Sequence, residues 1–362
     1  ATTSAFVQQR GKLLPTAFEE ILRRFTYQNR PIRRWNGYTL LAADGSHVQI
    51  PSDIHDKATY FNSTKDGRGY NLLHLNALYD LESQVYLDAI IQDGREEHES
   101  QALVELVDRS ELTEPVILVA DRGYEAYNNM AHIEQKGWKY LIRVKDKQGL
   151  LSGLRLTGAP EFDAAFSYSL SKRLTNRIRQ EPHKYRWIPK KVHFDYIGDA
   201  SDALYPISFR VVRFAVKEGL YETVITNLPA DRFPPPLLRE LYHKRWGIET
   251  SFRDLKYTLA LTHFHAKKRP FIKQEIFSRM TLYNFASLLR LHAVFTQPEG
   301  KHLYRINTAF AAHIAREFLL GFVPAVNVEP LITKFLLPVR PGLQKPRNMR
   351  AKRPISFQYR MI

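Results

Sequence analysis

At 362 residues, 44% of them hydrophobic, the chain can bury a substantial core, which excludes wholesale disorder. Fifty-three Lys and Arg against 37 Asp and Glu leave a net charge of +16 and a pI near 9.8, which favours a polyanionic partner, with nucleic acid ahead of an acidic membrane surface. The absence of cysteine excludes disulfides and thiolate metal sites, and no apolar run approaches the ~18 residues of a membrane span, so a soluble cytoplasmic protein without a membrane partner is expected.

Residues 1–37 read as an N-terminal helical segment, with Leu13, Phe18, Ile21, Leu22 and Phe25 at helical spacing within 5–27. The stretch YTLLAADGSHVQIP (38–51) predicts strand, tight Asp-Gly turn, strand, and 71–92 predicts a second hairpin turning at Leu81-Glu82-Ser83. A helix over 96–110 carries acids in its first turn, where the helix dipole favours them. The apolar strand PVILVADRGY (115–124) ends at Asp121; a helix over 126–137 and a strand over 139–145 follow. Antiparallel strands followed by alternating helix and strand predict a mixed α/β sheet for 38–145.

From 146 to 228 short runs at 165–170, 192–197, 206–216 and 221–228 predict a β-rich insertion. Eight Lys or Arg and one Glu lie between residues 172 and 191. Lys172, Arg173, Arg177, Arg179, Lys190 and Lys191 are therefore candidate contacts to nucleic acid, and Trp187 among them is a candidate to stack on a displaced base. Helices resume over 229–295, and 296–362 reads as a helical region with a basic tail; the last 33 residues hold eight Lys or Arg and no acid. His263 and His265 lack a matching second pair and EEHE (96–99) reads as a helix start, so no zinc site is expected.

The stretch YHKRWGIETSFRDLK (242–256) is the most informative. On a helix, with Tyr242 at zero, Arg245, Glu249 and Lys256 fall near 300°, 340° and 320°, so the four share an arc of about 60°. Leu241, Ile248, Phe252 and Leu255 form the adjoining apolar stripe. Asp44 and Asp121 each end a predicted strand, the kind of position that holds converging side chains rigidly. With Glu249 they make a set of three carboxylates, which suits Mg²⁺ or Mn²⁺, and two such ions are suited to phosphodiester chemistry.

Asp44 in DGS, Asp121 in DRGY, and Tyr242-x2-Arg245-x3-Glu249-x6-Lys256 resemble the bacterial DDE transposases of the insertion-sequence-four family. Trp246, ITNLP (225–229) and a β-rich insertion ahead of the Glu are similar to that family as well, over roughly 38–290. The resemblance implies an α/β fold: a ribonuclease H-like mixed-sheet core (38–145 and 229–295) with an all-β insertion (146–228) and C-terminal helices. It also implies cut-and-paste transposition through metal-dependent cleavage and strand transfer, with a DNA hairpin as intermediate. Asp44, Asp121 and Glu249 would be the catalytic metal-binding triad, holding two Mg²⁺ or Mn²⁺ ions. Tyr242, Arg245 and Lys256, with Trp246 beside them, would contact DNA at the cleaved end, and a homodimer would pair two ends on double-stranded DNA. A stand-alone nuclease on the same core, or an inactive DNA-binding relative, is the alternative. Family members commonly carry a larger N-terminal region for end recognition; 43 residues precede Asp44 here, so recognition is expected to be rebuilt elsewhere or to need a missing front.

Overall fold

The computed structural model describes residues 3–14, 16–62, 69–146, 149–154, 156–198, 202–300 and 302–339. The basic tail expected near the end lies mostly outside these residues. The chain forms two compact units, one of Ala1–Arg33, Gly45–Glu97 and Gly247–Ile362, the other of Arg34–Asp44 and His98–Trp246.

In the first unit, α1 (Thr3–Gln9) and α2 (Ala17–Asn29) replace the single helix expected over 5–27, with a 3₁₀ turn at Arg10–Lys12 between them. Strand β1 (Thr39–Ile50) belongs to both units, passing from the second to the first after Asp44. No turn forms at Asp44-Gly45. The strand runs straight through, because pairing with neighbouring strands outweighs the local turn preference of Asp-Gly. Strands β2 (Tyr60–Phe61), β3 (Tyr70–Asp80) and β4 (Val85–Asp93) follow, and β3 neighbours β1, β2 and β4. The β3–β4 hairpin turns over 81–84 as expected; Asp80 Oδ1 accepts from the N–H groups of Glu82 and Ser83, and its Oδ2 meets Arg30 at 3.1 Å.

The second unit takes the first half of β1 and adds α3 (Glu99–Asp108), β5 (Val116–Ala120), α4 (Tyr127–Gln135) and β6 (Lys139–Arg143). β1, β5 and β6 pair in parallel. All five residues of β5 are buried, as a central parallel strand covered on both faces requires. The segment 146–228 carries β7 (Phe162–Ser171), α5 (Asn176–Gln180), β8 (Tyr185–Trp187), β9 (Tyr205–Lys217) and β10 (Leu220–Thr226). Its strands extend the same sheet in the order β6-β10-β9-β7-β8. The run 192–197 forms no strand: Phe194 and Ile197 are buried, while Asp195 is bound by Asn128 and His132 of α4.

The long helix expected through 242–256 is broken. α6 (Pro235–Lys244) ends at Arg245, α7 (Trp246–Arg253) follows, and Asp254–Thr258 is a π-helical turn. The 100° wheel therefore does not hold across the segment, although Leu241, Ile248, Phe252 and Leu255 are all buried as expected. In the first unit, α8 (Arg269–His292) carries Asn284, whose side chain bonds the backbone of Tyr86 on β4 and the hydroxyl of Thr26 on α2. β11 (Tyr304–Ile306), α9 (Thr308–Leu319), α10 (Ala325–Lys334) and β12 (Leu336–Pro338) complete the described chain, β11 pairing with β12. The result is the α/β fold expected, a large mixed sheet with helices consistent with a ribonuclease H-like core. Among the described residues no helix is long and apolar enough to cross a membrane.

Candidate active site

Two of the expected carboxylates are brought together by strand register. β1 and β5 pair in parallel with Ala43 opposite Ala120, and the next residue on each chain is Asp44 and Asp121. Adjacent strands are about 4.8 Å apart and residues in register share a face; continued by one residue, the register puts Asp44 and Asp121 on one face, and the charges of both reach Tyr124. Asp44 thus stands in mid-strand, at the point where pairing with β5 ends. Asp121 is oriented by its own backbone: its Oδ1 accepts from the N–H of Gly123 at 2.7 Å.

A third acid stands close by. Glu99, in the first turn of α3, and Asp121 Oδ1 each lie 3.0 Å from the point a Cβ on Gly123 would occupy, so glycine leaves room for both. Tyr124 is buried against this group. Burial first, then the charges of Glu99, Asp44 and Asp121, push its phenol well above the usual range, partly offset by Arg245, so Tyr124 stays neutral. Sequence reasoning passed over both residues. Tyr124 was visible in the quoted DRGY, whereas Glu99 had no signal beyond its place in a helical first turn.

Arg245 is buried, 5% exposed, at the junction that ends α6. Its guanidinium lies 3.7 Å from Asp44 Oδ2 and over the rings of Trp246 and Tyr242, at 5.2 and 5.7 Å. Tyr242 is buried too; burial raises its phenol while Arg245 and Arg143 pull it down. Trp246 is 47% exposed.

Glu249 and Lys256 belong to the first unit. Glu249 is half-buried on α7, whose position is fixed by a 2.7 Å bond between Ser251 and the Tyr86 hydroxyl and by the close approach of Gly247 to Leu81. Lys256 Nζ donates to Ser46 Oγ at 2.7 Å. Ser46 lies two residues beyond Asp44 on β1.

The insertion's cations divide into two kinds. Lys172 is buried and donates to the carbonyl of Val192 at 2.7 Å, which withdraws it from any surface. Arg173, Arg177, Arg179, Lys190 and Lys191 are exposed. Arg173 pairs with Asp202 at 2.7 Å, and Arg177 lies over Tyr185. Trp187 is 42% exposed, its indole N–H donating to the carbonyl of Lys172. A groove in the same unit is lined by Arg122, Arg143 and Lys145 together with the acids Asp146 and Glu222, and Arg143 lies 3.5 Å from Glu222.

The oxygen-only donors Asp44, Asp121 and Glu99, with one guanidinium among them, match the hard-ligand preference of Mg²⁺ and Mn²⁺. A mixed sheet with aspartates one residue beyond the last matched positions of adjacent parallel strands defines an α/β protein with a carboxylate cluster. The chain belongs to the family described as Transposase DDE domain, which it matches over residues 35–285. Among solved structures it is similar to piggyBac transposase in a synaptic complex with hairpin DNA, with 9% identity and a TM-score of 0.44 over 94% of this chain and 66% of that one. This chain thus spans just under two thirds of that protein's chain. No curated protein matches the sequence.

Proposed function

We propose that the protein is a cut-and-paste DDE transposase of the insertion-sequence-four kind, acting on double-stranded DNA in the bacterial cytoplasm. The observation that carries this reading is the register placing Asp44 beside Asp121, in a chain that belongs to the transposase DDE family. Asp44, Asp121 and Glu249 are the catalytic carboxylates in this proposal, and together they would hold two Mg²⁺ or Mn²⁺ ions. Such ions neutralise phosphate charge and lower the pKa of an attacking water or hydroxyl.

The reaction has two parts. Water attacks the phosphodiester at the transposon end and the 3′-hydroxyl leaves. That 3′-hydroxyl then attacks a target phosphodiester, losing its proton as a second 3′-oxygen departs. A hairpin forms when the attacked bond is instead on the opposite strand. Arg245 and Lys256 supply positive charge to DNA phosphates and Tyr242 lines the same segment, with Trp246 presenting an exposed ring. Trp187 receives a displaced base, and the exposed cations around it follow the backbone. Two protomers pair two ends.

The test is incubation of the full chain with duplexes carrying the element's ends, with and without Mg²⁺, followed by gel analysis of nicked, hairpin and joined products. Mg²⁺-dependent cutting and joining, lost in Asp44→Asn, is expected. Cleavage that persists in Asp44→Asn would overturn the assignment, and cutting without joining would reduce the protein to a nuclease.

A further inference from the structure

The first unit contains a cluster of different chemistry. His47 on β1, His74 on the neighbouring β3, and Glu97 in the segment between β4 and α3 each offer a ligand atom, all within 4.8 Å of one another. His47 Nε2 lies 2.7 Å from Glu97 Oε2, and His74 Nδ1 lies 3.2 Å from that same oxygen. We propose that His47, His74 and Glu97 form a binding site for a zinc-class transition-metal ion.

Three features carry this. The first is geometry. With bonds of about 2.0–2.1 Å, two ligands of one ion stand about 2.9 Å apart at a right angle and about 3.3 Å at the tetrahedral angle, close to both separations here. The imidazoles meet edge to face, with centroids 4.9 Å apart and planes at 66°, and each presents a ring nitrogen to Glu97 Oε2.

The second is preorganisation. His74 is buried, its side chain 3% exposed, and it stands between the fully buried Leu73 and Leu75 on β3. His47 and Glu97 are 50% and 40% exposed, which leaves the solvent side open for water to complete the coordination. A buried anchor with two accessible partners favours a hydrated three-ligand site over a closed one.

The third is selectivity. Two imidazoles and one carboxylate suit Zn²⁺, Co²⁺, Ni²⁺ or Fe²⁺, whereas Mg²⁺ prefers oxygen. The cluster therefore answers to a different class of metal from the aspartate pair. An ion there links β1, β3 and the chain after β4, so occupancy stabilises the first unit. The inference stands independently of the transposase reading.

The experiment uses the full chain carrying Asp44→Asn and Asp121→Asn, so that the aspartate pair contributes no binding. Co²⁺ is titrated while its visible absorption is followed, with Zn²⁺ and Mg²⁺ as competitors, and thermal unfolding is recorded with and without Zn²⁺. One equivalent of Co²⁺ is expected, displaced by Zn²⁺ and not by Mg²⁺, with a higher Tm in Zn²⁺. His47→Ala and Glu97→Ala change half-exposed side chains and should fold. Each should weaken Co²⁺ binding by at least about tenfold, the loss typical even of outer-shell partners. No Co²⁺ absorption in the background chain, or wild-type-like binding in either variant, would overturn the site.

Discussion

Asp44 and Asp121 occupy matching positions on adjacent parallel strands, each one residue beyond the paired Ala43 and Ala120. With Glu99 close to Asp121, this concentrates negative charge around the buried Tyr124. Like charges held together cost stability in the absence of a counter-ion. Asp121→Asn keeps an oxygen able to accept from the Gly123 N–H while removing one anion. Metal-free stability should therefore rise by roughly 0.5–1 kcal/mol, as for other substitutions that trade function for stability. Mg²⁺-dependent cleavage should disappear. Denaturation with and without Mg²⁺, beside a cleavage assay, checks both; a less stable variant that still cuts would contradict the site.

Arg245 gives the second prediction. On a continuous helix an exposed ion pair of Arg245 with Glu249, four residues on, would be worth only about 0.3–0.5 kcal/mol. In the structure the Arg245 side chain is 6% exposed and faces Asp44. Arg245→Ala should destabilise by roughly 2–4 kcal/mol, since it removes packing against Trp246 and Tyr242 and deprives a partly buried carboxylate of its cation. Urea denaturation of Arg245→Ala and Arg245→Lys decides the point. The lysine variant, retaining charge but losing the planar group, should recover part of the loss.

The elements legible in the sequence were those governed by periodicity. The buried run of β5, the β3–β4 hairpin and the helices α3, α4 and α8 all lie near their expected places. The misreadings arose where tertiary pairing competes with local preference. Asp44-Gly45 has turn chemistry, yet β1 continues through it because neighbouring strands take its backbone groups. At 242–256 the buried apolar stripe was legible, but no sequence signal marked the break at Arg245 or the π turn at Asp254–Thr258. Asp44 and Asp121 stand out in the sequence because each follows an apolar run. Glu99, His74 and Glu97 meet their partners only across the fold, so spacing could not reveal them.

Asp195 supplies a pH-dependent prediction. Burial pushes its carboxyl up, but bonds from Asn128 and His132 and the charges of His193 and His132 outweigh this and leave it below the ordinary 3.8. A depressed folded value means a contribution that is fully present above the unfolded value and is lost as pH falls through the folded one. Below about pH 4 the stability difference between wild type and Asp195→Asn should shrink as the pH falls. Unfolding measured across pH 2–7 (roughly the span over which carboxylates titrate) tests this. A gap that widens in acid would show the opposite sign.

The insertion's cations give a prediction with an internal control. Arg177, Arg179, Lys190 and Lys191 are exposed on the segment that carries Trp187, whereas Lys172 is buried with its ammonium on the Val192 carbonyl. If this face follows the DNA backbone, each exposed cation changed to Ala removes a phosphate contact. The slope of log affinity against log salt should then fall by about 0.9 per contact. Lys172→Met should leave that slope unchanged and lower stability instead, by roughly 1–3 kcal/mol, because Val192 loses a charged donor. Trp187→Ala should weaken binding to duplexes with an unpaired base at the end by roughly 1–3 kcal/mol, with a smaller effect on fully paired DNA. Salt titrations of affinity for the set, with thermal unfolding of each variant, separate the roles. A slope that falls with Lys172→Met but not with the four exposed changes would place the DNA elsewhere on the protein.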